Sequence, residues 1–236
     1  MNGELVGIGV GVGDPEMLTL KAVKYIRESD VICIPRKDKN LCRAYQIARE
    51  AVPEIEEKQV MGFDFEMLSD RSLIQRKHNE IYENIKGFLC DGKRVSFLTI
   101  GDPTIYSTFS YISKLAERDY FNIQIINGIN SFCASAARLG ISLVEGKSSI
   151  YIITSRKELE NTITLSGTKV FMKCSGFYSD IIKYLRDLEK EKKQSGSSVE
   201  MYAVADCGMP QEKVYHGVEQ MPEEAAYMMT IIVKGS

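Results

Sequence analysis

The tripeptide Gly-Asp-Pro occurs twice, as Gly13-Asp14-Pro15 and Gly101-Asp102-Pro103. Aspartate caps a helix well, proline suits the first helical position and glycine permits a turn, so local structure alone accounts for the triplet. Placement argues for more. Each copy follows a β-branched run, Leu5 to Gly9 or Val95 to Ile100, at the carboxyl end of a strand expected to be central and parallel, where open α/β sheets bind ligands. The alternating Gly7, Gly9, Gly11 and Gly13 would let backbone approach a ligand closely. They do not make the dinucleotide fingerprint, because Val12 or Asp14 stands where GxGxxG needs its last glycine. The stretch Gly140 to Ser148 imitates a phosphate loop but has five residues between its glycines where that loop has four. A Glu145 charge, expected to be buried, would also repel phosphate.

Other candidates are weaker. Arg36, Lys37 and Lys39 follow the second predicted strand, where they would meet ligand carboxylates or simply be solvated. Of the two histidines, His78 falls on the apolar stripe of a long predicted helix and is expected to be packed, and His216 is uncommitted, so no catalytic base stands out. Six scattered cysteines show neither CxxC spacing nor close Cys/His pairing; reduced thiols and no bound metal are expected.

These residues need a scaffold that gathers strand ends. Leu5 to Gly9, Val31 to Ile34, Glu56 to Met61, Lys93 to Ile100 and Asn122 to Ile126 read as strands. Helical spacing falls between them, after Pro15, over Leu41 to Ala51, over Ser69 to Cys90 and over Pro103 to Arg118. That alternation predicts a parallel, doubly wound five-stranded sheet. After Asn127 come a small-residue helix over Ser131 to Leu139, strands near 149–154, 168–173, 199–205, 213–217 and 227–234, and a helix over Ser179 to Lys192. The expected organisation is an N-terminal α/β domain over 1–127 and a C-terminal α/β domain with a mixed sheet over 128–236.

At 236 residues and 26.6 kDa the chain is long enough for either one large or two modest cores. Thirty basic against 32 acidic residues, net −2, give no global pull toward nucleic acid or anionic membrane. With no basic N-terminal region and no long apolar run, a cytoplasmic protein with no membrane partner is expected.

Three stretches in order, Val6 to Ala22, Gly101 to Tyr106, and Asn127 to Phe132 followed by Ala136 to Ile141, resemble the tetrapyrrole (corrin/porphyrin) methylases. The resemblance implies a two-domain α/β homodimer that binds S-adenosylmethionine in a cleft between its domains and methylates a tetrapyrrole. It places cofactor contacts on Val12, on Gly101, Asp102, Ile105 and Tyr106, and on Asn130 and Ser131. To these it adds Met172 or Lys173, Cys207 or Gly208, and Thr230. Arg36, Lys37 and Thr108 become candidates for the substrate. Tyr106 to Phe109, Ala136 to Ile141 and Cys207 to Pro210 most resemble the members that methylate C-20 of precorrin-2 or cobalt-factor II. Other macrocycle positions (C-11, C-17 or uroporphyrinogen III) are the alternatives, as are RNA or protein substrates of the same fold; the net charge disfavours RNA. The third loop opens Asn127-Gly128 where the family has Pro-Gly, keeping the glycine but losing the fixed φ. Uroporphyrinogen methylases carry an arginine near the position of Thr108; its absence implies a different macrocycle or a different base.

Overall fold

The computed structural model describes residues 3–65 and 70–235, so the expected helix start at Ser69 lies outside the described residues. Two compact units meet in the chain at Asn130–Ser131. The expected boundary differs by three residues, because the Gly128 amide donates to Asp102 inside the first unit.

The first unit alternates strand and helix: β1 (Glu4–Gly9), α1 (Leu20–Glu28), β2 (Val31–Ile34), α2 (Arg43–Ala51), β3 (Gln59–Gly62), α3 (Arg71–Cys90), β4 (Arg94–Thr99), α4 (Phe109–Arg118) and β5 (Asn122–Ile126). The sheet order is β3-β2-β4-β1-β5, parallel throughout. Alternate side chains feed two cores, as the period of two requires. Val6, Ile8, Ile32 and Leu98 pack with Ile26, Tyr45 and Ile47 of α1 and α2. Leu5, Val31, Val95 and Phe97 pack with Ile81, Ile85, Phe109 and Ile112 of α3 and α4. The doubly wound expectation therefore holds, and β1 and β4, the two strands that lead into the Gly-Asp-Pro loops, lie side by side with Gly9 opposite Thr99.

The second unit contains α5 (Ser131–Leu139), β6 (Ile150–Ile153), α6 (Arg156–Thr162), β7 (Thr168–Phe171), α7 (Tyr178–Gln194), β8 (Glu200–Ala205), β9 (Lys213–His216) and β10 (Met229–Lys234). Its order is β6-β7-β10-β8-β9. The β6–β7 pair is parallel and the other pairs are antiparallel, which makes the expected mixed sheet. Helix α6 has no counterpart in the sequence reading. Only Leu159 of its seven residues is buried, too few to show a period, and the Ser155 cap starts it.

Both Gly-Asp-Pro junctions depart from expectation. After the first, Asp14 caps a single 3₁₀ turn, Pro15–Met17, and α1 begins later, at Leu20, with Thr19 as its cap. After the second, α4 begins at Phe109 and not at Pro103, so Asp102 is no helix cap. Its carboxylate satisfies donors from two loops, and Tyr106 takes φ 49°, which a right-handed helix cannot accommodate.

Candidate functional site

Because β1, β4 and β5 are adjacent and parallel, their carboxyl ends bring three loops together: Val10 to Asp14, Gly101 to Thr108, and Asn127 to Asn130. The loops are joined backbone to backbone. The Gly101 amide donates to the Gly11 carbonyl at 2.7 Å. A Cβ on Gly9 would lie 2.6 Å from the Gly128 nitrogen, and one on Gly128 would lie 2.7 Å from the Gly9 carbonyl carbon. The glycines thus serve a close approach of protein backbone to protein backbone; the expectation that their spacing serves approach to a ligand is corrected for Gly9.

Asp102 ties the second loop to the third. It is 4% exposed. One carboxylate oxygen accepts from the Thr104 amide (2.8 Å) and the Thr104 hydroxyl, and the other from Asn127 Nδ2 (3.0 Å) and the Gly128 amide (3.1 Å). Burial alone would raise its pKa, but these four donors outweigh burial and hold it below the ordinary carboxylate range. The stability they contribute is present above the unfolded-state pKa of about 3.9 and is lost as pH falls through the lower folded-state value. Acid titration followed by circular dichroism should therefore show part of the wild-type loss below pH ~4 missing from Asp102→Asn, which cannot ionise.

Other predicted residues gather at the same end of this sheet. Val12 is buried and Ile105 half-buried, while the Tyr106 ring is 48% exposed on a strained backbone. Arg36 and Lys37 are exposed beyond β2, and the Lys37 amide is held by Asp64 (3.1 Å). Half-buried Thr108 precedes α4, and half-buried Asn130 closes the third loop.

The second sheet gathers the remaining candidates by register. β10 runs antiparallel to both β7 and β8, so its start lies beside their carboxyl ends; Ile231 faces Phe171 and Met229 faces Ala205. Met172, Lys173, Cys207, Gly208 and Thr230 therefore share one end of the sheet. Buried Thr230 donates its hydroxyl to Ser131 Oγ at 3.1 Å. Lys173 (φ 54°) and Asp206 (φ 49°) hold left-handed backbone. With Tyr106, three of the four described non-glycine residues at positive φ thus lie at or beside the predicted loops, a placement typical of binding sites.

The sequence reading missed Glu212. It accepts from the Gly208 amide (2.8 Å) and pairs with Arg138 of α5, joining two stretches that carried the family resemblance. Burial, then the Glu212 charge, push the Cys207 thiol up to about 11. Glu145 overturns another expectation: its side chain is 73% exposed and pairs with Lys234 (3.1 Å) on the wall of a polar cavity of about 710 Å³ that also touches Lys147 and Thr168. The described cysteines carry free thiols. Among the described residues no group of three or more His, Cys, Asp or Glu could hold a metal ion, and no helix is long and apolar enough to cross a membrane.

The family model for tetrapyrrole (corrin/porphyrin) methylases matches residues 4–222. The chain belongs to this family. Among its relatives, "Probable cobalt-precorrin-2 C(20)-methyltransferase" of Methanocaldococcus jannaschii is 38% identical over 172 residues, covering 72% of each chain. "Cobalt-precorrin-2 C(20)-methyltransferase" of Salmonella typhimurium is 24% identical over 239 residues, covering 99% of this chain and 97% of its own. The crystal structure of uroporphyrin-III C-methyl transferase from Thermus thermophilus, complexed with S-adenyl homocysteine, shares the fold at TM-score 0.65. Its identity is 19%, and the match covers 98% of this chain and 97% of that one.

Proposed function

We propose that this methylase transfers the methyl group of S-adenosylmethionine to the C-20 meso carbon of precorrin-2 or its cobalt complex. The observation that carries the reading is the 38% identity, over 72% of the chain, to a relative named for that reaction. Val12, Gly101, Ile105, Tyr106, Asn130, Ser131, Met172, Lys173, Cys207, Gly208 and Thr230 hold the cofactor, with Asp102 shaping the loops through its four internal bonds. The donor set suits a ligand with an ammonium, a carboxylate and ribose hydroxyls, since glycine-loop backbone and the Thr230–Ser131 hydroxyl pair offer both donors and acceptors. Cys207 fits too: a thiolate would compete for a sulfonium methyl, and a thiol with its pKa near 11 stays protonated at neutral pH.

The cofactor supplies an electrophilic methyl group; the protein's task is alignment, which can contribute ~7–11 kcal/mol of barrier reduction. Arg36, Lys37 and Thr108 bind the macrocycle and its carboxylates. Replacing Arg36 and Lys37 together by alanine should raise KM for the tetrapyrrole severalfold with kcat little changed, as steady-state kinetics would register. A homodimer belongs to the same reading and is checked by light scattering. The decisive assay is anaerobic incubation with S-adenosylmethionine and either precorrin-2 or cobalt-factor II, followed by product mass and absorption spectrum. One added methyl group is expected, and the relative rates identify the true substrate. Cofactor binding with neither compound methylated would overturn the C-20 assignment.

A further inference from the structure

His78, eight residues into α3, and Tyr111, in the first turn of α4, form a feature that the sequence reading treated as simple packing. His78 is not enclosed. Its ring stacks on Tyr111 of α4 (centroids 4.5 Å apart, planes at 20°) and meets Phe65, beyond β3, at 5.7 Å. Phe65 in turn sits edge-on to Phe97 of β4 at 5.8 Å, which anchors the stack to the core between sheet and helices. His78 is half-buried and Tyr111 is 51% exposed. Among the described residues, no hydrogen bond or ion pair reaches either imidazole nitrogen. Tyr111 covers one face of the ring, Phe65 meets it at a tilt of 43°, and hydrogen bonding is left to the ring nitrogens at the edge.

The location matters because α3 and α4 both start at the carboxyl end of the parallel sheet, the end that carries Arg36, Lys37 and Thr108. The described aspartates there already hold backbone amides. Asp14 holds that of Glu16, Asp38 that of Asn40, Asp64 that of Lys37, Asp70 that of Ser72, and Asp102 those of Thr104 and Gly128. Carboxylates so engaged are weak bases. His78 is different, being uncharged at neutral pH and free of such duty. Burial lowers its pKa from the usual value. The titratable residues nearby in sequence on the elements that touch it are Lys77, Glu80 and Tyr82 on α3, Tyr111 and Lys114 on α4, and Asp64 next to Phe65.

We infer that His78, held between Phe65 and Tyr111, is the general base that takes the proton leaving the methylated tetrapyrrole carbon. The inference rests on the proposed methyl transfer and adds the proton acceptor to it. In the step, the ring carbon gives an electron pair to the methyl carbon. The carbon–sulfur bond breaks with its pair remaining on sulfur, and the proton of the ring carbon passes to an imidazole nitrogen. The exposed Tyr111 ring presents an aromatic face to the same macrocycle.

The test uses the full chain and two variants. His78→Phe keeps the stack without a base, and His78→Gln keeps a polar side chain that does not titrate at neutral pH. Wild-type kcat/KM should rise with pH through a midpoint below 6.5 and then level, because the neutral imidazole is the active form. Both variants should melt as wild type, bind S-adenosylmethionine unchanged, lose kcat by ~100-fold or more and lack the acid limb. A readout without cofactor or turnover is available because the chain has only two histidines: tetrapyrrole addition should shift the His78 proton resonance and leave that of His216 in place. Folded variants that retain kcat and the acid limb, or a His78 resonance unmoved by bound tetrapyrrole, would overturn the inference. Wild-type protein that methylates neither tetrapyrrole would instead overturn the functional reading, and the proton role with it.

Discussion

Gly9→Ala is expected to destabilise the protein by ~2–3 kcal/mol, near the upper end for overpacking a tight interior. At this chain length that is a melting-point fall of roughly 4–12 °C. The new methyl group would enter the space where the Gly101 carbonyl and the Gly128 backbone already lie, and backbone cannot turn aside as a flexible side chain can. Gly128→Ala should behave alike, since its Cβ would meet the Gly101 carbonyl and the Gly9 backbone from the other side. S-adenosylmethionine affinity should fall with either change, because the displaced loops are those proposed to bind it. Gly87 in the last turn of α3 supplies the contrast. It has open space around its Cβ position, so Gly87→Ala should stabilise by ~0.4–1 kcal/mol through helix propensity and reduced unfolded-state freedom. Thermal melts of the three variants decide the matter. Equal stability of Gly9→Ala and wild type would mean that the loops do not pack as described.

Asp102→Ala carries the second large effect. The substitution leaves the Thr104 and Gly128 amides and the Asn127 side-chain amide without their acceptor, in a place where the residue itself is 4% exposed. Unsatisfied buried donors cost ~1–3 kcal/mol each, and partial entry of water reduces the sum, so a loss of about 2–4 kcal/mol is expected in denaturant unfolding. Affinity for S-adenosylmethionine should drop at least about tenfold by calorimetry, equivalent to ~1.4 kcal/mol, as the second and third loops separate. A destabilised variant with unchanged cofactor affinity would make Asp102 a purely structural clamp and would remove these loops from the proposed binding site.

Much of the fold was legible because its signals are local. The β-branched runs of β1, β2 and β4, each closed by glycine or proline, marked buried parallel strands, and the stripe Ile74, His78, Ile81, Ile85 and Phe88 marked α3. Where local signals compete, the reading slipped. Gly101-Asp102-Pro103 has the composition of a helix start, yet long-range bonds from Asp102 to Asn127 and Gly128 redirect the chain, and the helix waits until Phe109. Glu145, expected to be buried, is turned outward to Lys234 by the structure.

From the sequence alone follow the alternation of strand and helix, the change to a more β-rich rhythm after the third loop, and the identity of the loops that carry the family resemblance. Each depends on residue types a few positions apart, which set backbone preference and hydrophobic period. Tertiary structure alone decided why the glycines are glycines, what Asp102 binds, how Glu212 joins Arg138 to Gly208, and that His78 is stacked rather than enclosed. The contacts that decide these points, such as Asp102 with Gly128, Gly9 with Gly128 and Glu212 with Arg138, join residues 26 to 119 positions apart, and they exist only once sheet pairing has brought distant segments together, a pairing that no local pattern in the chain encodes.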